Sequence, residues 1–417
     1  MIRSFRPILL GLLVGVALPA AVKAQRADLP PPELVATALD NHPSVLAATA
    51  RLAAARAQAD MLRAGTHEVT VTGSYMRRTV DVEGGYNEFD TTVSKPFRLP
   101  GKASLDRKAG ALGIDAAQNR MEDVRHQTSL MLAGLWYDWL TAEALARTNA
   151  ESVAGLERAM AAVQRRVELR DASPLDADQA ASALALVKGQ LADAQALAAA
   201  ARVTLAATFP DLPLPLTAPA LTEPQVSAQG FEALRDLVIE RSHEIGAARA
   251  EADRQSVVAR RAKADRVADP SLGVRLFSER GGMEKGAGIV ASIPIGGRYR
   301  ARAADEADAV ARSAALEMSV VQREVEATAN ADLSNAKMRL AVWREVAEAG
   351  KRAQAVTERT ARGYTLGAID LADLLYAERQ AQDTRRAEIN ARSEALRAIL
   401  KLEIDSHVTW APLGETD

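Results

Sequence analysis

The sequence predicts a mainly α chain with a small β part, built as two copies of one unit. Three observations carry this. Two tracts, of 73 residues between Pro100 and Pro174 and 117 between Pro294 and Pro412, hold no proline and are rich in Ala, Leu, Arg and Glu. A pair of short alternating segments precedes each tract. Stretches roughly 198 residues apart resemble one another along the whole chain.

The composition agrees. The 417 residues include no cysteine, are 48% hydrophobic, 4% aromatic and 25% charged, and carry a net charge of -2. Such a chain has enough apolar residues for a packed core, so it is not intrinsically disordered. Its near-neutral balance excludes a strongly basic nucleic-acid binder. Without cysteine there is no disulfide, thiolate metal site, cysteine nucleophile or lipid-modified N-terminal cysteine. Few aromatics and many alanines suit helices packed along a long seam better than a compact catalytic core.

The elements follow in order. Arg3 and Arg6 precede an apolar run from Ile8 to Ala21, and Val22-Lys23-Ala24 forms a cleavage box, so residues 1–24 are expected to be a signal peptide of an exported protein. Past Ala24 no stretch approaches the roughly 18 uninterrupted apolar residues of a membrane helix. Any membrane span must therefore be a β-barrel.

The first repeat is expected over 25–209: a helix near Leu34–Ala48, a strand pair at 67–80 and 86–97, and a helical hairpin over 102–208. In the pair, Val71 and Tyr75 alternate with Thr70, Thr72 and Ser74. After a turn over Asp81–Gly85, Phe89 and Val93 return on one face. A helix filling most of the first proline-free tract is on the order of 100 Å long. Met121, Val124, Thr128, Met131 and Leu135, continued by Ala142, Leu145 and Leu156, give it a coiled-coil seam. The hairpin bends at Leu169-Arg170-Asp171-Ala172-Ser173-Pro174, where Ser173 caps the return helix and Pro174 fills its first position.

Residues 210–230, with prolines at 210, 213, 215, 219 and 224, form a linker. The second repeat, 231–403, holds a helix, a strand pair at 271–278 and 286–294 around Gly281 and Gly282, and a hairpin over 300–403; residues 404–417 are a tail. This hairpin bends at Arg362-Gly363-Tyr364-Thr365-Leu366-Gly367-Ala368, and Asp370 caps the return helix. Leu169–Ala180 aligns with Leu366–Ala377, setting Asp176 opposite Asp373; Pro96–Lys102 aligns with Pro294–Arg300, and Leu34–Ala48 with Leu234–Ala248. Four strands are too few to close a barrel alone.

The order of elements, the duplication and the Tyr364-Thr365-Leu366-Gly367 turn followed by Asp373 and Ala377 resemble the TolC-type outer-membrane factors of tripartite efflux and secretion systems. The resemblance runs from Leu34 to about Leu402. It implies a homotrimer whose four strands per chain close a 12-stranded β-barrel in outer-membrane lipid, with the helices of three chains forming an α-helical barrel across the periplasm. It implies a passive conduit served by a periplasmic adaptor (membrane fusion protein) and an inner-membrane pump. The strand ending Phe97-Arg98-Leu99-Pro100-Gly101-Lys102, with Arg107, resembles the branch serving heavy-metal pumps of the resistance-nodulation-division type. That implies cargo such as nickel, cobalt, zinc or cadmium. Here the basic step of that branch is reduced to Gly101-Lys102-Ala103, and the multidrug or type I secretion channels of the same family are the alternative.

The resemblance also assigns residues. Asp373, six residues after Gly367, matches an acidic position at the periplasmic constriction, with Asp370 and Asp176 as further gate candidates. Tyr376 stands where the family has a second acidic residue. The turns formed by Leu169, Arg170, Asp171 and Ser173, and by Tyr364, Leu366, Gly367 and Ala368, match the tips where an adaptor docks. Read from the residues themselves, Asp373 equally fits a solvated first-turn carboxylate, and the glycines fit plain helix breaks.

The sequence offers no enzyme chemistry: no nucleophile elbow, phosphate loop or metalloprotease motif is present. No cofactor and no metal site are expected. His42, His67, His126, His243 and His407 are dispersed and the nine methionines do not cluster. Trp136, Tyr137 and Trp139 read as aromatic packing where helices cross. A soluble periplasmic coiled-coil adaptor would share the signal peptide and hairpins, but would need neither four strands nor two equal repeats.

Overall fold

Proline and capping residues set where the helices begin. In the structure, a computed structural model describing residues 26–411, α1 spans Pro32–Asp40 and α2 spans Pro43–Ala64. His42 caps α2 by accepting the Ser44 N–H, and Pro43 fills the first position. The strands β1 (Thr70–Val80) and β2 (Gly84–Pro96) follow, then α3 (Lys102–Glu168) and α4 (Pro174–Thr208). After the proline-rich segment come α5 (Phe231–Glu240), α6 (His243–Ala264), β3 (Ser271–Glu279), β4 (Glu284–Ser292), α7 (Arg298–Thr365) and α8 (Leu371–Asp405). The expected signal peptide, residues 1–24, lies outside the described residues.

The duplication holds in three dimensions. The long helices α3 and α7 have 67 and 68 residues, and α4 and α8 have 35 each. Likewise α2 and α6 have 22 each. Both hairpins pack on themselves, α6 packs against α3 and α7, and α8 packs against α3 as well as α7. The helices thus form one bundle in which each repeat supports the other. Where α2 crosses α3 the approach is close: a Cβ on Gly110 would stand 2.9 Å from Ala59 Cβ and 3.0 Å from its Cα.

The main core lies midway along α3. Trp136, Tyr137 and Trp139 are buried there with Leu132, Leu140, Leu205, Leu396 and Leu400, and the two indoles meet edge to face at 5.4 Å. The first described residues are fastened to this core. Asp28 accepts from Tyr137 Oη at 2.8 Å, Trp136 Nε1 donates to the Asp28 carbonyl at 2.7 Å, and Arg26 pairs with Asp28 and Glu403.

Three expectations are corrected. Of the expected α3 seam Thr128 and Leu156 are buried, but Met131 is exposed and the buried line also runs through Leu132, Trp136 and Leu140, because α4, α6 and α8 contact different arcs of the helix and no single heptad stripe serves them all. The segment 210–230 is more than a spacer: Leu212, Ala218 and Leu221 join the main core. The tail begins later than residue 404, since α8 continues to Asp405 and Ser406 and His407 are buried.

The four strands form one antiparallel sheet in the order β1-β2-β3-β4. Register lines up Val71, Val93, Val274 and Ile289 in one row across it. All four are solvent-exposed, between 44% and 85%. The neighbouring row is polar, with Thr72, Thr92 and Arg275 in register, and Arg275 pairs with Asp90. Among the described residues no helix is long and apolar enough to cross a membrane.

Candidate functional site

The two hairpin ends are versions of one turn. After α3, the Arg170 N–H bonds to the Val167 carbonyl and the Asp171 N–H to the Arg166 carbonyl; after α7, Gly367 and Ala368 do the same to Tyr364 and Gly363. The pattern needs a left-handed residue just past the helix. Gly367 supplies it at φ 73°, and Arg170 takes it at φ 61°. Gly363 has a different reason: a Cβ there would stand 2.4 Å from Ile369 Cδ1, so its bareness lets Ile369 close over the turn.

Capping fixes the return helices. The Asp176 N–H donates to Ser173 Oγ and the Ser173 N–H to Asp176 Oδ2, a reciprocal capping box. Asp370 accepts the Asp373 N–H at 2.9 Å. Asp176 and Asp370 thus have a capping role, whereas the carboxylate of Asp373 is exposed on the same side of α8 as Tyr376. Leu169 and Leu366, at equivalent points of the two turns, are 72% and 84% exposed. Tyr364 is buried against Val163, Leu371 and Leu374, with the Arg166 guanidinium over its ring.

Where strands meet helices, a charged joint ties the repeats together. Lys102, only 2% exposed, places Nζ 2.8 Å from Asp269 Oδ1 and 3.0 Å from Asp265 Oδ1, and donates to the Val267 carbonyl at 2.7 Å. The Leu99 N–H also donates to Asp269, and His67 Nε2 lies 3.1 Å from its other oxygen. Burial pushes the Asp269 carboxyl up, but the hydrogen bonds from Lys102, Leu99 and His67 outweigh it and hold it down at about 2. Arg98 and Arg261 close on Asp106 alongside.

Comparison with known proteins bears on this arrangement. Residues 34–209 match the sequence model of the family described as outer membrane efflux protein. The second repeat reproduces the elements of that region one for one. The first repeat is similar to the outer membrane efflux protein family. Solved structures share the fold across both repeats. The outer membrane protein VceC of Vibrio cholerae is 19% identical, covering 90% of this chain and 95% of its own, with a TM-score of 0.73. The Neisseria gonorrhoeae MtrE outer membrane channel, in its open state, is 16% identical over 90% of this chain and 88% of its own, TM-score 0.69. CusC, described in terms of folding and transmembrane channel formation, is 17% identical over 90% and 91%, TM-score 0.68. No curated relative matches the chain.

The fold gathers Arg166, Leu169, Tyr364, Gly367 and Asp373 at the two hairpin ends and keeps Lys102 at the opposite end of α3. It also groups residues that spacing did not pair. Asn149, Gln190 and Gln382 meet between α3, α4 and α8, with Gln382 Nε2 donating to Gln190 Oε1 at 2.9 Å. His126, His243 and His407 converge beside the end of α8. Neither group has a local sequence signal, because its members lie on helices far apart in the chain.

Proposed function

We propose that this chain is one of three copies that together close a 12-stranded outer-membrane barrel, continued by a periplasmic helical tunnel, and that the trimer is a passive efflux conduit. The exposed row Val71–Val93–Val274–Ile289 carries the reading. One sheet face is apolar and, among the described residues, faces no other part of the chain, the opposite row is polar, and the strands have 9 to 13 residues, the length that tilted barrel strands require. Strands β1 and β4 each pair on one side only, and an unpaired edge in lipid is untenable. Three copies in a ring satisfy every edge. A periplasmic coiled-coil adaptor has no use for such a face.

In this reading the exposed leucines 169 and 366 are contact points for a periplasmic adaptor, which links the conduit to a pump of the resistance-nodulation-division type. Asp373 from three chains forms a carboxylate ring at the periplasmic constriction, where like charges repel and a cation relieves the cost. Divalent heavy metals are the proposed cargo, on the sequence around Phe97–Lys102. The burial of Lys102 in the joint favours a second reading, in which that step is a packing feature and the same conduit carries organic compounds.

The test is fractionation with heat-labile electrophoresis. The protein should enter the outer-membrane fraction, withstand release by osmotic shock, and migrate unheated at about three times the chain mass. A monomer in mild detergent overturns the trimer. Sensitivity of a deletion strain, scored for nickel, cobalt and zinc against lipophilic drugs, decides the cargo.

A further inference from the structure

Three of the five histidines meet at one point. His126 lies on α3, His243 is the first residue of α6, and His407 stands in the turn after α8. The His243 and His407 rings stack with centroids 4.7 Å apart, and His126 is 5.9 Å from His407. His126 Nε2 is 3.0 Å from Asp405 Oδ1, a buried oxygen to which no other group among the described residues donates. His407 itself is buried with φ 58°, the left-handed position after a helix where glycine is the usual occupant. An imidazole is thus held there against its backbone preference.

The charged surroundings come from every neighbouring element. Glu122 and Asp123 face the rings from α3, with Asp115 further along. The α5–α6 turn contributes Glu240, Arg241 and Glu244, and α7 contributes Glu324. From α8 come Lys401 and Asp405. Carboxylates outnumber cations. Burial, followed by repulsion from Glu244, pushes the Asp123 carboxyl up, whereas contacts with His126 and Lys401 overcome the burial of Asp405 and hold its carboxyl below the ordinary range.

We propose that the three histidines form a proton-operated clasp on the C-terminal turn. While neutral, His243 and His407 stack and fasten the turn to α6. Imidazoles in general take up protons as pH falls through about 6.5. Two imidazolium ions at stacking distance repel, so that contact opens. His126 lies outside that stack: its Nε2, 3.0 Å from Asp405 Oδ1, keeps the end of α8 on α3. Arg241, which donates to the Ser406 carbonyl at 3.1 Å, remains as a tether. The sign follows: the contact with α6 is complete above the imidazole range and is lost below it.

Hydrogen exchange of the full chain in detergent tests this. The amides of His407, Val408 and Thr409 bond back to the carbonyls of Ile404 and Glu403. Corrected for intrinsic rates, their protection should fall about tenfold from about pH 7.5 to about pH 5.5, as expected for local opening against one like-charge contact. The response should vanish in His243→Gln and in His407→Gly, and glycine suits the left-handed backbone at 407, so that variant keeps its turn. Equal protection at both pH values in the unaltered chain, or an undiminished response in both variants, overturns the proposal.

Discussion

Arg166, in the last turn of α3, sets its guanidinium 5.1 Å above the ring of Tyr364, in the last turn of α7, and so joins the ends of the two hairpins. The same guanidinium bonds Asp171 Oδ2 at 2.9 Å, which fixes it between its own turn and the other hairpin. Removing the cation costs little at a site so open to solvent. Arg166→Ala should therefore leave overall stability nearly unchanged but loosen the link between the tips. In the proposed conduit, the variant should show higher or noisier single-channel conductance in planar bilayers than the parent; identical traces would mean the contact has no part in closing it.

Arg170 and Gly367 test the turn itself. Arg170→Gly relieves a left-handed non-glycine residue and should raise stability by about 1 kcal/mol, while Gly367→Ala should lower it by a similar amount. Denaturant midpoints with unchanged slopes would report both signs.

Lys102 should be intolerant of truncation. Lys102→Met leaves Asp269 and Asp265 without their shared cation, at about 3 kcal/mol; partial exposure of Asp265 keeps this at the lower end for broken buried pairs. The melting temperature should fall, with the loss reduced when Asp269→Asn accompanies it, because the stranded charge is then gone.

Asp269 also fixes an acid limit. Its carboxyl is held at about 2 in the folded chain, below the unfolded value of about 3.9. A depressed folded value means the unfolded state binds the proton more readily, so the stabilisation is complete above about pH 4 and drains away as pH falls towards about 2. Unfolding free energies measured across that window should slope with pH in the parent and slope less in Asp269→Asn.

Gly110→Ala should force α2 and α3 apart. The added methyl meets Ala59 Cβ and Cα, and neither is the end of a flexible chain that can swing away. A loss of about 1–3 kcal/mol is expected, readable as a lower melting temperature with unchanged helical circular dichroism.

The sequence by itself determined the elements and their duplication. Proline placement delimited the long helices, Ser173 and Asp370 were legible as caps, and the alternation at Val71, Tyr75, Phe89 and Val93 marked strands, because each signal acts through the backbone within a few residues. Tertiary structure decided what distant residues do together. The role of Lys102, the burial of Tyr364 beneath Arg166 and the true seam of α3 all depend on which helix lies alongside. His126 and His407 are 5.9 Å apart in space but on opposite sides of most of the chain, and no periodicity encodes that distance. Packing of side chains from both repeats, each needing the other to bury its face, fixed those relationships.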